Sequence, residues 1–252
     1  MSDVKKKILF VNSEMFPYLP ESHISKIGRM LPQGVQERKR EIRSFMPKYG
    51  CINERKNQLH EVIRLSGMNI IIDDLDRPLI IKVASISSAR IQVYFIDNDE
   101  RAIFFARGVL ETVKKLRWAP DIIHCQGWIS QLVPVYLKKA YRDDPIFSES
   151  RIVLSLYDDT PSGKFSDNFA AKARFGSVSA EDLALLEGRA DGINLAQTAA
   201  RYSDGIIYGS GNVDGRIRDF CTGLGLPTLE YDEASYEDGG YIDEYCGFYD
   251  RL

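Results

Sequence analysis

The stretch KILFVNSEMFP, residues 7–17, decides how this chain folds. Its first part is a short apolar run that predicts a buried β-strand, Lys7–Val11. The polar and proline-containing residues that follow predict a loop. An apolar strand that leads directly into such a loop is typical of a parallel sheet, whose strands are buried on both faces.

Short apolar segments and amphipathic segments alternate along the rest of the chain. The predicted strands after the first are Glu41–Met46, Asp121–His124, Arg151–Leu156 and Gly205–Tyr208. The predicted helices are Ser22–Glu37, Glu100–Leu116, Ser130–Tyr141, Ile193–Arg201 and Val213–Cys221. This alternation predicts a parallel sheet with helices on both faces, that is, a doubly wound, Rossmann-like α/β domain.

Residues 60–96 interrupt this alternation. Four short apolar segments follow one another there, at Val62-Ile63, Met68–Ile72, Leu79–Ala84 and Arg90–Phe95. Turn-forming residues separate them, so we expect a small antiparallel β insertion. The chain as a whole then consists of one α/β domain over residues 1–225, which contains the insertion, and an acidic C-terminal tail over residues 226–252.

Length and composition argue against several classes of protein. The 252 residues are 44% hydrophobic, which is enough for a sizeable core and too much for a disordered chain. A formal charge of −3 favours neither nucleic acid nor an anionic membrane as a partner. No apolar run reaches the roughly 18–20 residues of a membrane span, and the N-terminus lacks the apolar core of a signal peptide. We expect a cytoplasmic protein with no nucleic-acid or membrane partner.

The four cysteines are Cys51, Cys125, Cys221 and Cys246. They form no C-x-x-C pair, and no histidine lies at metal-ligand spacing from any of them. Reduced cytosolic thiols fit this pattern better than disulfides or a zinc site, so we expect no bound metal.

The end of the chain concentrates negative charge. Residues 230–252 hold eight carboxylates and one arginine, whereas the remainder holds 32 basic against 28 acidic groups. The same segment contains Tyr231, Tyr236, Tyr241, Tyr245 and Tyr249. A solvated tail explains the charge. The regular aromatic residues favour docking on the basic remainder of the chain, and both alternatives stay open.

Five segments, in order over roughly residues 5–220, resemble one family of enzymes. The opening stretch resembles the start of bacterial glycogen and starch synthases. DNDER at 97–101 resembles the family's DNxxR helix start, and DIIHCQGW at 121–128, followed by LVPVYL, is similar to DVVHAHDW followed by LxPxYL. Residues 155–165 keep the glycine and phenylalanine of TIHNxxYQGxF, and residues 193–204 resemble INxLKxxxxxAD. Together they resemble the N-terminal half of a glycogen/starch synthase.

The resemblance implies half of a GT-B glycosyltransferase, a fold in which the active site lies between two Rossmann-like domains. It also implies the family reaction, in which glucose passes from ADP-glucose to an α-1,4-glucan, with no further cofactor. The positions carried over as substrate-binding candidates are Glu14, His23, Lys26, Asn98, Arg101, His124, Trp128 and Gly163. The positions equivalent to family catalytic residues are Gln126 and Asp97.

The loop that holds the phosphates of ADP-glucose in the family departs from the family pattern here. Where the family has Lys-Thr-Gly-Gly-Leu-x-Asp, this chain has PESHISK at residues 20–26. Close approach to a pyrophosphate needs glycines, and Pro20 has no N–H to donate. Glu21 repels phosphate, and Lys26 places a cation at a new position. Ser22 fits the N-cap of the predicted helix, which is the interpretation we favour.

The strand end near Gln126 departs from the pattern as well. Gln126 replaces the histidine that lies beside the reacting sugar in the family, and Gly127 replaces the aspartate after it. Glutamine cannot donate a proton as an acid or carry an imidazolium charge. His124 matches the family's first histidine and is either a structural residue or a ligand contact at a strand carboxyl end. We expect Trp128 to be a core anchor.

Asp97, Asn98 and Arg101 are the best preserved polar cluster, and they match a segment near the acceptor side of the family's site. Asp or Asn before a helix also caps its free N–H groups, and we favour this capping role. Asp158 and Asp159 follow a predicted strand where the family has other residues. With no third carboxylate close in sequence, they predict a turn rather than a cation site.

Two functions remain open at this point. The first is a glycogen/starch-synthase-like domain that binds a glucan, a sugar nucleotide or a protein partner without catalysis. The second is an active glucosyltransferase half that a separate GT-B domain completes. A glucosyltransferase needs a nucleotide cradle and a charged group at the reacting sugar, and both are substituted here, which favours the first function.

Overall fold

The computed structural model describes residues 5–97 and 101–252. Its strands are β1 (Lys7–Asn12), β2 (Glu41–Pro47), β3 (His60–Glu61), β4 (Met68–Ile72), β5 (Leu75–Ile86), β6 (Ile91–Asp97), β7 (Ile122–Gln126), β8 (Arg151–Leu156), β9 (Gly205–Tyr208) and β10 (Thr228–Leu229). Its helices are α1 (His23–Glu37), α2 (Arg101–Leu116), α3 (Val133–Lys138), α4 (Phe169–Ala173), α5 (Gly192–Arg201), α6 (Gly215–Leu224), α7 (Glu233–Asp238) and α8 (Tyr241–Arg251), with a 3-10 turn at Trp128–Ser130.

One sheet organises these elements, in the order β10-β9-β8-β7-β1-β2-β6-β5-β3, with β4 paired to β5. From β10 to β6 the neighbouring strands are parallel, and β5 joins β6 in the antiparallel sense. The predicted doubly wound α/β fold is confirmed. β1 lies at its centre and pairs in register with β2 and β7.

The antiparallel region differs from the prediction in three respects, the first of which is that the strand expected at Val62-Ile63 lies at His60–Glu61. β6 was expected inside the insertion, but it pairs in parallel with β2 and is part of the main sheet. β5 is also longer than predicted, because residues 75–78 continue the strand and pair with β4 instead of forming a turn. The insertion is therefore an antiparallel extension of one edge of the sheet.

The predicted helix Ser130–Tyr141 is shorter in the structure. The chain makes a 3-10 turn first, and α3 begins only at Val133, with Pro134 in its first turn. Proline has no N–H to donate, so it suits the start of a helix and not its interior.

The alternation of side chains along β1 separates two hydrophobic layers. Leu9 and Val11 face the layer that contains α2, α3 and α5. Ile8 and Phe10 face the opposite layer, which α1 and α8 cover. Residues two apart on a strand share a face, so the apolar run in the sequence is the consequence of burial on both sides.

The C-terminal segment is folded against this second layer. Tyr241, Tyr245, Phe248 and Tyr249 of α8 are buried in the same cluster as the side chains of α1 and β1. Helices α1 and α8 approach closely at Gly34, where an added Cβ would lie 2.6 Å from Ile242. Of the two alternatives for the segment, the structure shows docking.

Ion pairs surround this apolar contact. Arg38 pairs with Asp243, Arg40 lies 2.6 Å from Asp250, and Lys6 lies 3.7 Å from the same carboxylate. The side-chain hydrogen bond to Asp250 raises the pKa of Arg40, and the bond to Arg40 lowers the pKa of Asp250. The acidic residues of the segment thus lie on basic residues of the domain, as the charge distribution indicated.

His124 joins α8 to the sheet. Its Nδ1 lies 2.7 Å from the hydroxyl of Tyr249, and its Nε2 lies 2.6 Å from the hydroxyl of Ser155. A neutral imidazole donates from one nitrogen and accepts at the other, which two hydroxyl partners satisfy. Complete burial lowers the pKa of His124 to about 3, so the ring is neutral in the folded protein.

Within the described residues, no helix is both long and apolar enough to span a lipid bilayer.

The buried histidine makes stability dependent on pH. Below about pH 6.5 the unfolded chain protonates His124, whereas the folded chain resists protonation until about pH 3. We therefore expect this group to lower the free energy of unfolding by about 1.4 kcal/mol per pH unit as the pH falls through that interval. Urea denaturation at a series of pH values measures the slope.

His124→Gln is expected to flatten that slope, because glutamine does not titrate. Tyr249→Phe is the matched control, since it removes one hydrogen bond and about 1 kcal/mol of stability but keeps the imidazole. A slope in His124→Gln equal to that of the unsubstituted protein would contradict the assignment.

Candidate functional site

A cleft of about 790 Å³, termed the main cleft, opens at the carboxyl ends of β1, β7, β8 and β9. It is lined by Glu14, Ser22, His23, Ile24, Trp128, Tyr157, Asp158, Asp159, Ser210, Gly211, Asn212, Tyr231 and Glu233. Loops after four neighbouring parallel strands supply most of these residues. This is the edge at which ligands bind in open α/β sheets.

The N-terminus of α1 forms one wall of the main cleft, and its own residues cap it. The hydroxyl of Ser22 accepts from the N–H of Ser25 at 3.0 Å, and Ser25 Oγ accepts from the N–H of Ser22 at 2.8 Å. The Ser22 hydroxyl also donates to Glu14 at 2.7 Å. The predicted capping role of Ser22 is confirmed, and a carboxylate faces the helix end at which an anion would otherwise bind.

His23 and Lys26 occupy different places on α1. Nε2 of His23 lies 2.7 Å from the carbonyl oxygen of Gly209, and its ring contacts Tyr157, Tyr231 and Tyr236. Lys26 is exposed and pairs with Glu21 at 2.5 Å. Lys26 lines a neighbouring cleft instead of the main one, so it brings no positive charge to the main cleft.

Amide side chains lie beneath the main cleft. Asn12 and Gln126 end two paired strands, β1 and β7, opposite each other in register. Oε1 of Gln126 accepts from the hydroxyl of Tyr157 at 3.2 Å. Among the described residues, no hydrogen-bond partner is found for Gln126 Nε2 or for either amide atom of Asn12. Buried polar atoms without partners are uncommon and leave hydrogen-bonding capacity at this edge of the sheet.

Asp159 is the most perturbed acid of the site. It accepts from the N–H of Trp128 at 2.8 Å. Burial raises its pKa to about 6. The hydrogen bond from the Trp128 N–H lowers the pKa, whereas the charges of Glu14 and Asp158 raise it further. Gly127 makes the contact possible: its φ is +78°, and an added Cβ would lie 2.7 Å from Asp159 Oδ2 and 2.4 Å from Ser13 Oγ.

This role of Asp159 was not predicted from the sequence, which indicated only a turn after β8. The available signal was the glycine at position 127, since it leaves space for a carboxylate beside the turn after β7. Trp128 was expected to be a core anchor. It is half-buried, its ring stacks on Phe165 with centroids 6.3 Å apart, and it also lines the main cleft.

The other predicted positions lie away from the main cleft. His124 is fully buried with both nitrogens bonded, so it offers a ligand no surface in this conformation. Asp97 lies 2.9 Å from Lys82 and 3.8 Å from Lys48 in an ion-pair cluster. Gly163, with φ of +88°, lines a separate cleft of about 390 Å³.

Two predicted positions are only partly covered by the structure. Asn98 lies outside the described residues, and Arg101 is described only as the first residue of α2. The capping role proposed for residues 97–101 therefore stays a prediction.

The main cleft is strongly acidic. Four carboxylates line it, from Glu14, Asp158, Asp159 and Glu233, and none of its described lining residues is a lysine or an arginine. No group of three or more His, Cys, Asp or Glu side chains in the described part of the chain is arranged to hold a metal ion. Aromatic rings of Trp128, Tyr157 and Tyr231 complete its walls.

The sheet order, the helices on both faces and the cleft at the strand carboxyl ends define a Rossmann-like domain of the GT-B glycosyltransferase type. The chain belongs to the starch synthase catalytic domain family, whose model matches residues 7–229. The resemblance to glycogen and starch synthases in the sequence motifs is thereby confirmed.

Individual relatives agree. Glycogen synthase of Chlorobium luteolum is 32% identical over 252 residues, a match that covers 91% of this chain and 51% of the relative. Glycogen synthase of Chlorobaculum parvum is 33% identical, covering 79% of this chain and 44% of the relative. The chain thus spans about half the length of these curated relatives.

A solved structure shares the fold. The catalytic domain of starch synthase IV from Arabidopsis thaliana, bound to ADP and acarbose, superposes with a TM-score of 0.69 at 14% identity. The superposition covers 90% of this chain and 51% of that structure.

The raised pKa of Asp159 gives a prediction for stability. An acid whose pKa is raised on folding costs the folded state stability as the pH rises from its ordinary pKa, about 4, to its value in the folded protein, about 6. Asp159→Asn should therefore raise the free energy of unfolding at neutral pH by about 1–2 kcal/mol, a value that allows for solvent screening of the partly exposed side chain. The gain should fade towards pH 4, as the carboxyl group becomes protonated in both the folded and the unfolded state. Thermal unfolding at the two pH values measures it.

Asp158→Asn is the matched control, because Asp158 is the adjacent carboxylate and is exposed. It is expected to change stability by less than about 0.5 kcal/mol at either pH. Equal effects of the two substitutions would contradict the special environment of Asp159.

Proposed function

We propose that this glycogen/starch-synthase-like domain binds an α-1,4-glucan in the main cleft and does not by itself transfer glucose from ADP-glucose. The observation that carries the proposal is the acidic and aromatic lining of the main cleft, with no lysine or arginine among its described lining residues. The starch synthase of the same fold was solved with ADP and acarbose, which makes a nucleotide and a carbohydrate the two ligands to weigh.

Electrostatics disfavour the nucleotide. A diphosphate placed at the N-terminus of α1 would approach Glu14, which already accepts from Ser22. Two like charges 4 Å apart repel by about 1 kcal/mol in water and by about 4 kcal/mol at an effective dielectric constant of 20. The capped end of α1 also offers fewer free N–H groups than an anion-binding helix end requires.

A neutral carbohydrate avoids this electrostatic repulsion. Carboxylates only accept hydrogen bonds, and a sugar hydroxyl is a neutral donor that forms short, charge-assisted bonds with them. Trp128, which follows β7, and Tyr231, which follows β10, supply aromatic rings to the lining of the main cleft.

Gln126 also supports the absence of transfer activity. The family reaction, as the resemblance implies it, places a histidine at this position beside the reacting sugar. A glutamine amide can form hydrogen bonds but cannot supply a proton or a positive charge to a developing transition state.

The alternative is an active glycogen synthase half that a second GT-B domain completes. The specific observation in its favour is the span of the chain, which covers about half of relatives named glycogen synthase. In that case most contacts to the nucleotide would come from the other domain, and ADP-glucose transfer would require it.

Calorimetric titration tests the proposal. We expect maltoheptaose to bind. We expect ADP-glucose at about millimolar concentration, where a dissociation constant would correspond to a binding free energy of roughly −4 kcal/mol, to give no heat of binding. Tyr231→Ala should weaken the binding of maltoheptaose about tenfold or more, because it removes an aromatic ring from the wall of the main cleft. Ile63→Ala, an exposed side chain that does not line the main cleft, is the control and should leave the affinity unchanged.

Transfer of glucose from ADP-glucose to glycogen by the purified chain, above the level of a Gln126→Ala variant, would contradict the non-catalytic proposal. Binding of ADP-glucose without binding of maltoheptaose would favour the alternative.

A further inference from the structure

A second concave surface adjoins the main cleft. This second cleft of about 550 Å³ lies between α1, α7 and the start of α8, and Glu21, His23 and Lys26 of the segment 20–26 line it. Its apolar lining comes from Phe16, Ile27, Met30, Tyr236, Tyr241 and Ile242. Phe16 and Met30, which both line this cleft, are 41% and 48% exposed, so the cleft presents large apolar side chains to solvent.

The two clefts share His23, which lines both. The exposed His23 side chain therefore lies where the two clefts meet. Its ring lies 6.0 Å from the ring of Tyr231 and 5.3 Å from that of Tyr236, centroid to centroid, and these two rings stack on each other on one side of it. The bond from Nε2 to the carbonyl oxygen of Gly209 fixes the ring in this place.

A column of stacked tyrosines forms the wall that runs from one cleft to the other. Tyr231, which lines the main cleft, stacks on Tyr236 at 4.9 Å, and Tyr236 stacks on Tyr241 at 4.5 Å with a 13° angle between the rings. Tyr236 and Tyr241 line the second cleft. The hydroxyl of Tyr236 bonds to that of Tyr245 at 2.7 Å, which holds the column on α8.

Carboxylates line the second cleft as well, although Lys26 and Arg29 make it less acidic than the main cleft. Glu21, Glu237 and Asp238 line it, and Lys26, one of its two cations, is paired with Glu21. Apolar rings with carboxylates around them again suit a ligand that has apolar ring faces and hydroxyl donors. A concave, mostly apolar surface with a few polar groups is the usual form of a ligand site.

We propose that one linear α-glucan strand passes from the main cleft over His23 into the second cleft, so that the second cleft selects long chains over short ones. This inference rests on the proposed function and adds chain length as the property that the domain recognises. The two clefts act on one covalently continuous ligand, and contact with the second therefore follows contact with the first at high effective concentration.

Comparison of two oligosaccharides tests this inference. We expect maltoheptaose to bind at least about tenfold more tightly than maltotriose, which is too short to occupy both clefts. Met30→Ala and Phe16→Ala should each reduce that preference severalfold, with the loss confined to maltoheptaose. Both side chains are substantially exposed, so each variant is expected to fold, and Ile63→Ala is the exposed apolar control.

The outcomes separate the two proposals. Equal affinities for both oligosaccharides, or a preference that Met30→Ala and Phe16→Ala leave intact, overturns the second-cleft inference and leaves glucan binding in the main cleft standing. Absence of binding by either oligosaccharide overturns the proposed function itself. The chain could instead self-associate through this surface. Self-association that Met30→Ala abolishes, together with equal affinities for maltoheptaose and maltotriose, assigns the apolar surface to a second copy of the chain and overturns the inference.

Discussion

The docking of α8 onto the sheet is the contact on which the rest of the structure depends. It brings Tyr245 and Tyr249 into the core beside Phe10 and Val153 and joins them to the sheet through His124. Because α7 and the preceding loop lead directly into α8, the same docking positions Tyr231 and Tyr236. Those two rings stack on each other and border the two clefts, so the walls of the candidate site are a consequence of how the chain ends on its own sheet.

The second determinant of the site is its charge. Parallel strands place β1, β7, β8 and β9 with their carboxyl ends at one edge, and the loops that follow carry Glu14, Asp158 and Asp159 to the same cleft. Like charges held this close either raise each other's pKa or bind a positive or hydrogen-bond-donating partner. The pKa of Asp159 is raised mainly by burial, and the neighbouring charges of Glu14 and Asp158 raise it further. A neutral ligand rich in hydroxyl groups relieves this crowding of charge, whereas a diphosphate adds to it.

Much of the fold could be predicted from the sequence because its signals are local. The strands Arg151–Leu156 and Gly205–Tyr208 were predicted with the bounds that the structure has, and the cap at Ser22 followed from the chemistry of a helix start. The features that were missed or left open depend on distant partners. The place of β6 in the parallel sheet was missed because it depends on pairing with β2, and the docking of α8 was left open because it depends on a contact between residues 125 positions apart.

The residues of the candidate site divide in the same way, into those that motif positions predict and those whose role depends on tertiary contacts. Glu14, His23 and Trp128 were predicted from motif positions and do line the main cleft. His124 and Asp97 occupy motif positions too, but burial against Tyr249 in one case and ion pairing with Lys82 in the other direct their side chains elsewhere. Asp159 and Tyr231 could not be selected from the sequence, since their importance comes from the space beside Gly127 and from the stacking with Tyr236.

A crystal structure of the chain soaked with maltoheptaose and ADP-glucose together tests the central claim most directly. The account predicts density for sugar rings against Trp128 and Tyr231, with hydroxyl groups within hydrogen-bonding distance of the carboxylates of the main cleft, and no density for the nucleotide. Density for a diphosphate at the N-terminus of α1, beside Ser22 and Glu14, would contradict it.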